Sequence, residues 1–172
     1  ESGTSLSFTI IFAILIVYLV LSAQFESFKI PLSIILTVPI ALTSGLYTLF
    51  LTGTSLNVYS QIGFLMLIGL IAKNGILVVE FANQLRLEGK SLDEAIIESS
   101  MIRLRPVLMT TTSTILGAIP LVLSSGAGSE SRYSMAIVVL GGITLSSLIT
   151  LYLVPALYRI VEGRKLFQRR NV

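Results

Sequence analysis

Five apolar stretches, each about 20 residues long and nearly free of charge, alternate with short polar connectors along the chain: about 5–23, 31–51, 58–85, 104–123 and 133–158. At 1.5 Å per residue, roughly 20 helical residues cross the ~30 Å hydrocarbon core of a bilayer. Lipid offers no hydrogen bonds, so each stretch must satisfy its own backbone, which a helix does. The pattern predicts an all-α polytopic membrane protein with five transmembrane helices. Pro31 suits the first turn of the second span, where its missing N–H is not needed, and Pro39 predicts a kink within that span. The third span is expected to run past the membrane to Arg86 or Leu87, because no breaker intervenes before Gly89. Ser91-Leu92-Asp93-Glu94 has the form of a capping box. It opens a short amphipathic connecting helix at about 92–101, whose Leu92, Ala95, Ile96 and Ile97 suit a surface-lying element on the cytoplasmic side.

One position breaks the apolar pattern. Lys73 lies near the middle of the third span, where a charge costs on the order of 2.5 to 3.5 kcal/mol on insertion scales. Met66, Gly69, Ile76, Leu77 and Glu80 fall within about 60° of it on a helical wheel. Snorkelling to the interface, or pairing with Glu80, is the plain alternative. Both ends of the span, however, are roughly 15 Å away, beyond the reach of a lysine side chain. A partner across a helix interface is therefore expected, with Gly69 allowing close approach. Burial would favour the neutral amine and a nearby carboxylate the charged one, so the site can respond to a proton. A second polar stripe enters the fourth span, where Arg103, Thr110, Thr114 and Gly117 share one face within about 60°. Hydroxyls in the run Thr110 to Thr114 commonly bond back to their own helix, a packing role. The alternative is a hydrated proton route. Arg105 points away from the stripe and reads as an interfacial anchor.

Composition agrees with the membrane reading: only 12% of the 172 residues are charged, against about 25% in soluble domains. With neither cysteine nor histidine, disulfides, thiolate metal sites and the usual proton shuttle are excluded. Proton chemistry must then use Lys, Arg, carboxylates, hydroxyls or water. The net charge of +3 is an orientation signal and not a nucleic-acid footprint, since ten of the twelve basic residues fall in the 24–30 connector, the 84–105 segment and the C-terminal tail. The positive-inside rule puts those segments in the cytoplasm and the N-terminus outside. Glu1 to Thr4 reads as the continuation of something upstream, so a piece of a longer protein is expected.

Two stretches carry a resemblance: Gly69-Leu70-Ile71-Ala72-Lys73-Asn74-Gly75-Ile76-Leu77-Val78-Val79-Glu80-Phe81-Ala82 and Arg103-Leu104-Arg105-Pro106-Val107-Leu108-Met109-Thr110. With Gln24 to Pro31 and Gly117 to Val122, they resemble the C-terminal membrane half of resistance-nodulation-division efflux transporters, in the hydrophobe and amphiphile branch. The resemblance implies that the five spans are helices eight to twelve of a twelve-helix subunit in the bacterial inner membrane. It implies a drug/proton antiporter, not an enzyme, driven by the proton gradient without a cofactor. Lys73, Arg103 and Thr110 would match its proton-relay lysine, arginine and threonine, with Asn74, Glu80 and Thr114 as possible support. The expected partners are the N-terminal half with its membrane aspartates, further copies in a homotrimer, a periplasmic adaptor and an outer-membrane channel. The sole aspartate here, Asp93, lies in the connector, so the acidic part of that relay is absent from this sequence. A membrane anchor, a channel, and relatives exporting metals or lipids are the competing readings. The first would not need Lys73, and a channel would repeat polar residues along several spans.

Overall fold

A computed structural model describes the backbone of residues 2–169 and the side chains of 7–161. It contains α1 (Ser2–Gln24), α2 (Ile30–Ile35), α3 (Val38–Thr52), α4 (Val58–Leu87), α5 (Leu92–Leu123) and α6 (Ser129–Arg169), with no strand among the described residues. Five segments are long and apolar enough to cross a membrane, with α2 and α3 together forming one of them.

The second span is interrupted where Pro39 predicts a kink. Pro39 has no N–H for the carbonyl of Ile35, and the chain tightens over Leu36 and Thr37. The Thr37 N–H reaches the Ile34 carbonyl at 3.1 Å, and the Thr37 hydroxyl donates to the same oxygen at 2.6 Å. Pro31 stands in the first turn of α2 as expected. At the start of α4, Asn57 accepts from the Ser60 N–H at 2.8 Å while the Ser60 hydroxyl accepts from Asn57, a reciprocal cap. The Asn57 amide also donates to Ser134 at 3.0 Å, which ties α4 to α6.

The connecting helix expected at 92–101 is not a separate element. The Ser91–Glu94 capping box forms, but the helix it starts runs through Pro106 to Leu123 as α5. Packing against α4 and α6 explains the continuity. Ala95, Ile96 and Ser99 are buried, and Ile96 joins a core with Val79, Ala82, Val154 and Tyr158, whereas Ile97 alone of the four apolar residues remains well exposed. α6 likewise extends beyond both expected ends of its span and continues through Pro155.

α6 is the central post, packing on α3, α4 and α5, while α1 packs on α2 and α4. Small residues make the close approach possible. A side chain at Gly141 would overlap Thr48 of α3, and one at Gly142 would overlap Leu67 of α4. The Ser44 hydroxyl uses the same gap to donate to the Gly142 carbonyl at 3.2 Å. A second core, built from Ala41, Leu49, Phe64, Leu67, Ile71, Ile137, Val138 and Ile143, fills the other half of the bundle.

Candidate functional site

α4 sorts its residues onto two faces. Phe64, Leu67, Ile71, Asn74, Gly75 and Val78 turn inward and are buried, whereas Met66, Lys73 and Glu80 are exposed. A Cβ built at Gly69 meets nothing within 4 Å and Lys73 is exposed, so the lysine face is uncovered among the described residues. Lys73 makes no hydrogen bond or ion pair among the described residues. Glu80 is on the same open face, two turns away, and does not pair with it. Asn74, the next residue, points the other way. It is 8% exposed and lines a small cavity with Gly75, Val78, Val107, Thr150, Leu151 and Val154.

The second stripe opens outward too. Thr110 and Gly117 are exposed, Arg103 and Thr114 are half-buried, and a Cβ at Gly117 would meet nothing within 4 Å. The Thr110 hydroxyl donates to the Val107 carbonyl at 3.0 Å, and Thr114 donates to Thr110 at 2.9 Å, as the packing alternative expects. Thr112 does the same with Leu108 at 2.8 Å, but the buried Thr111 hydroxyl has no partner among the described residues. Arg103 carries its guanidinium 4.9 Å from the centre of the Phe81 ring, and its Nε is buried without an acceptor among the described residues. Arg105 is exposed, in keeping with an interfacial role.

The register of α4 against α5 decides what these groups can do together. Arg103 meets Phe81, and Val107 lines one small cavity with Asn74, Gly75 and Val78, so the two packed helices run antiparallel. Thr110 lies three residues beyond Val107, about 4.5 Å further along α5. That brings it level with the turn that carries Lys73. The structure therefore sets Lys73 and Thr110 at one depth on adjoining helices, with Arg103 nearer the α4–α5 turn, without a direct bond between them. A hydroxyl and an ammonium can exchange a proton, whereas a guanidinium keeps its charge and acts on its neighbours through its field. No group of three or more metal-binding side chains occurs among the described residues.

Sequence reasoning missed the polar node at the far end of α4. Tyr158, 1% exposed, donates to the Asn83 side chain and accepts from Arg86 at 3.4 Å. Asp93 pairs with Arg159 at 2.8 Å, and Lys90 pairs with Glu98. These links join α4, α5 and α6 on the side of Arg103. Outside the spans, the Ser91 hydroxyl and N–H hold the Glu94 carboxyl below its usual range, with Lys90 adding to the effect.

The sequence model of the AcrB/AcrD/AcrF family matches residues 1–162. Over 164 residues the chain is 43% identical to the multidrug resistance protein MdtC of Proteus mirabilis, covering 94% of this chain and 16% of that protein. It is 44% identical over 151 residues to the multidrug resistance protein MdtF of Escherichia coli K12, covering 87% and 15%. It is 40% identical over 162 residues to the toluene efflux pump membrane transporter TtgB of Pseudomonas putida, covering 94% and 15%. The chain thus spans 15 to 16% of the length of these curated relatives. With five membrane-crossing segments and a family match over nearly its whole length, the chain is a multi-pass membrane protein belonging to the AcrB/AcrD/AcrF family of resistance-nodulation-division efflux transporters.

Proposed function

We propose that the chain carries the lysine, arginine and threonine part of the proton relay in an efflux transporter of the bacterial inner membrane. The transporter would exchange protons for hydrophobic or amphiphilic compounds, the class that the names of its multidrug and toluene relatives suggest. The observation that carries this reading is the open Lys73 face: a cation in the middle of a helix long and apolar enough to cross a membrane, uncovered among the described residues and level with Thr110. A charge so placed calls for a carboxylate from helices outside this sequence. In the working protein, protonation of that carboxylate releases Lys73, the lysine turns toward Thr110, and the helices repack. Repacking between two discrete arrangements is what couples proton entry to a distant drug site.

The same reading places the N-terminus in the periplasm and the C-terminus in the cytoplasm, following the basic residues. Its partners are the N-terminal half of the transporter, two further copies in a homotrimer, a periplasmic adaptor and an outer-membrane channel. Substitutions in the whole transporter test it. Lys73→Ala and Lys73→Arg should abolish efflux with normal membrane levels, since a planar guanidinium does not replace a compact ammonium. Thr110→Ser should retain much of the efflux, while Thr110→Ala and Arg103→Ala lose most of it. Normal efflux with Lys73→Ala would overturn the relay, and equal efflux across the Thr110 and Arg103 variants would assign those residues to packing.

A further inference from the structure

Phe81 follows Lys73 by eight residues on α4, about 12 Å along the axis and ~80° around it. Its ring faces the Arg103 guanidinium across the α4–α5 interface at 4.9 Å. Arg103 has no ion pair among the described residues. The acids near this end are engaged with other groups: Asp93 with Arg159, Glu98 with Lys90 and Glu94 with Ser91. Glu80 and Glu88 are exposed. The guanidinium is thus oriented by an aromatic face and not by a carboxylate. The two differ in consequence. A carboxylate would compensate the positive charge, while the ring quadrupole attracts the cation and leaves its full charge in place.

We propose that Phe81 is a positioning residue for Arg103, and that it links the cation's position to the rotation of α4. This rests on the relay reading above. Lys73 and Phe81 are fixed to one helix, so any turn of α4 that swings the lysine swings the ring by the same angle. Arg103, on α5, either follows the ring or loses it. Phe81 therefore reports the state of Lys73 to Arg103 without itself handling a proton. A leucine would fill much of the same space but supply no quadrupole.

The test uses the whole transporter, with genetically encoded mono-, di- and trifluorophenylalanine at position 81 beside Phe81→Trp, Phe81→Leu and Arg103→Ala. Proton-driven efflux is measured in membrane vesicles and normalised to transporter content. Fluorination withdraws the ring's quadrupole with little change in size. The rate should fall stepwise to about three- to fivefold below the parent for the trifluoro ring, the range that loss of a cation–π contact implies. Phe81→Trp should keep the parent rate, and Phe81→Leu should match the trifluoro ring. A flat fluorine series, with Arg103→Ala inactive, would overturn the proposal while leaving the relay standing. Full efflux with Arg103→Ala would remove the relay role of Arg103, and this proposal with it.

Discussion

The two faces of α4 use the same residue types for different ends. On the inner face, Gly63 and Gly75 stand where a Cβ would come within 3.0 Å of the Met135 carbonyl and 2.9 Å of Ile34, so glycine is a packing requirement there. On the outer face, Gly69 has open space around it, as does Gly117 on α5. No neighbour among the described residues explains a glycine at either outer position. Both lie on stripes that also carry exposed polar groups, Lys73 on one and Thr110 on the other. The difference teaches that the inner face is complete in itself, whereas the outer face has the composition of an interface for which this sequence supplies one side.

Substitutions that fill the two kinds of glycine should separate the faces most sharply. Gly142→Leu forces overlap with Leu67 and should lower the unfolding free energy in detergent by about 3 kcal/mol or more, or prevent folding. Gly69→Leu should leave the stability of the 172-residue chain within about 1 kcal/mol of the parent, because it meets no neighbour and improves helix propensity. In the whole transporter the same Gly69→Leu should greatly reduce efflux. Equal damage to the isolated chain from both changes would erase the distinction between the faces.

A smaller effect is expected at the polar node. Tyr158→Phe removes the hydroxyl that joins Asn83 and Arg86 and should destabilise the chain by about 1–2 kcal/mol, read as a lower melting temperature. The smallest effect lies outside the membrane. Ser91→Ala removes the cap of α5 and should cost on the order of 1 kcal/mol. Glu94 is held below its usual range in the folded state, so its contribution is present above the unfolded carboxylate pKa and lost as pH falls through the lowered folded value. Glu94→Gln should remove that part of the acid-side decline in stability, while the parent retains it.

The spans and the Ser91–Glu94 box were legible because each depends on neighbours within a turn or on composition over twenty residues. Lys73, Arg103 and Thr110 were legible as candidates for the same reason, and the register that brings Lys73 and Thr110 to one depth was not. The continuity of α5 was hidden by Pro106 and by two basic residues that resemble a membrane boundary. Burial of Ala95 and Ile96 against α4 and α6 overrides that local signal. The wheel grouped Gly69 with Lys73, but it could not distinguish a glycine against a neighbour from one facing open space. Contacts such as Tyr158 with Asn83, 75 residues apart, leave no local trace in the sequence.

If the relay is as proposed, the Lys73 face takes its acids from helices beyond this sequence. Thermal unfolding of the 172-residue chain in detergent at neutral pH, with Lys73 and with Lys73→Met, addresses this most directly. Methionine keeps a similar shape and removes a mid-span charge that costs on the order of 2.5 to 3.5 kcal/mol on insertion scales. The methionine chain should melt at the higher temperature, and the same change should inactivate the whole transporter. A lysine chain that melts at the same temperature or higher would mean that this chain already satisfies Lys73, and would contradict the account.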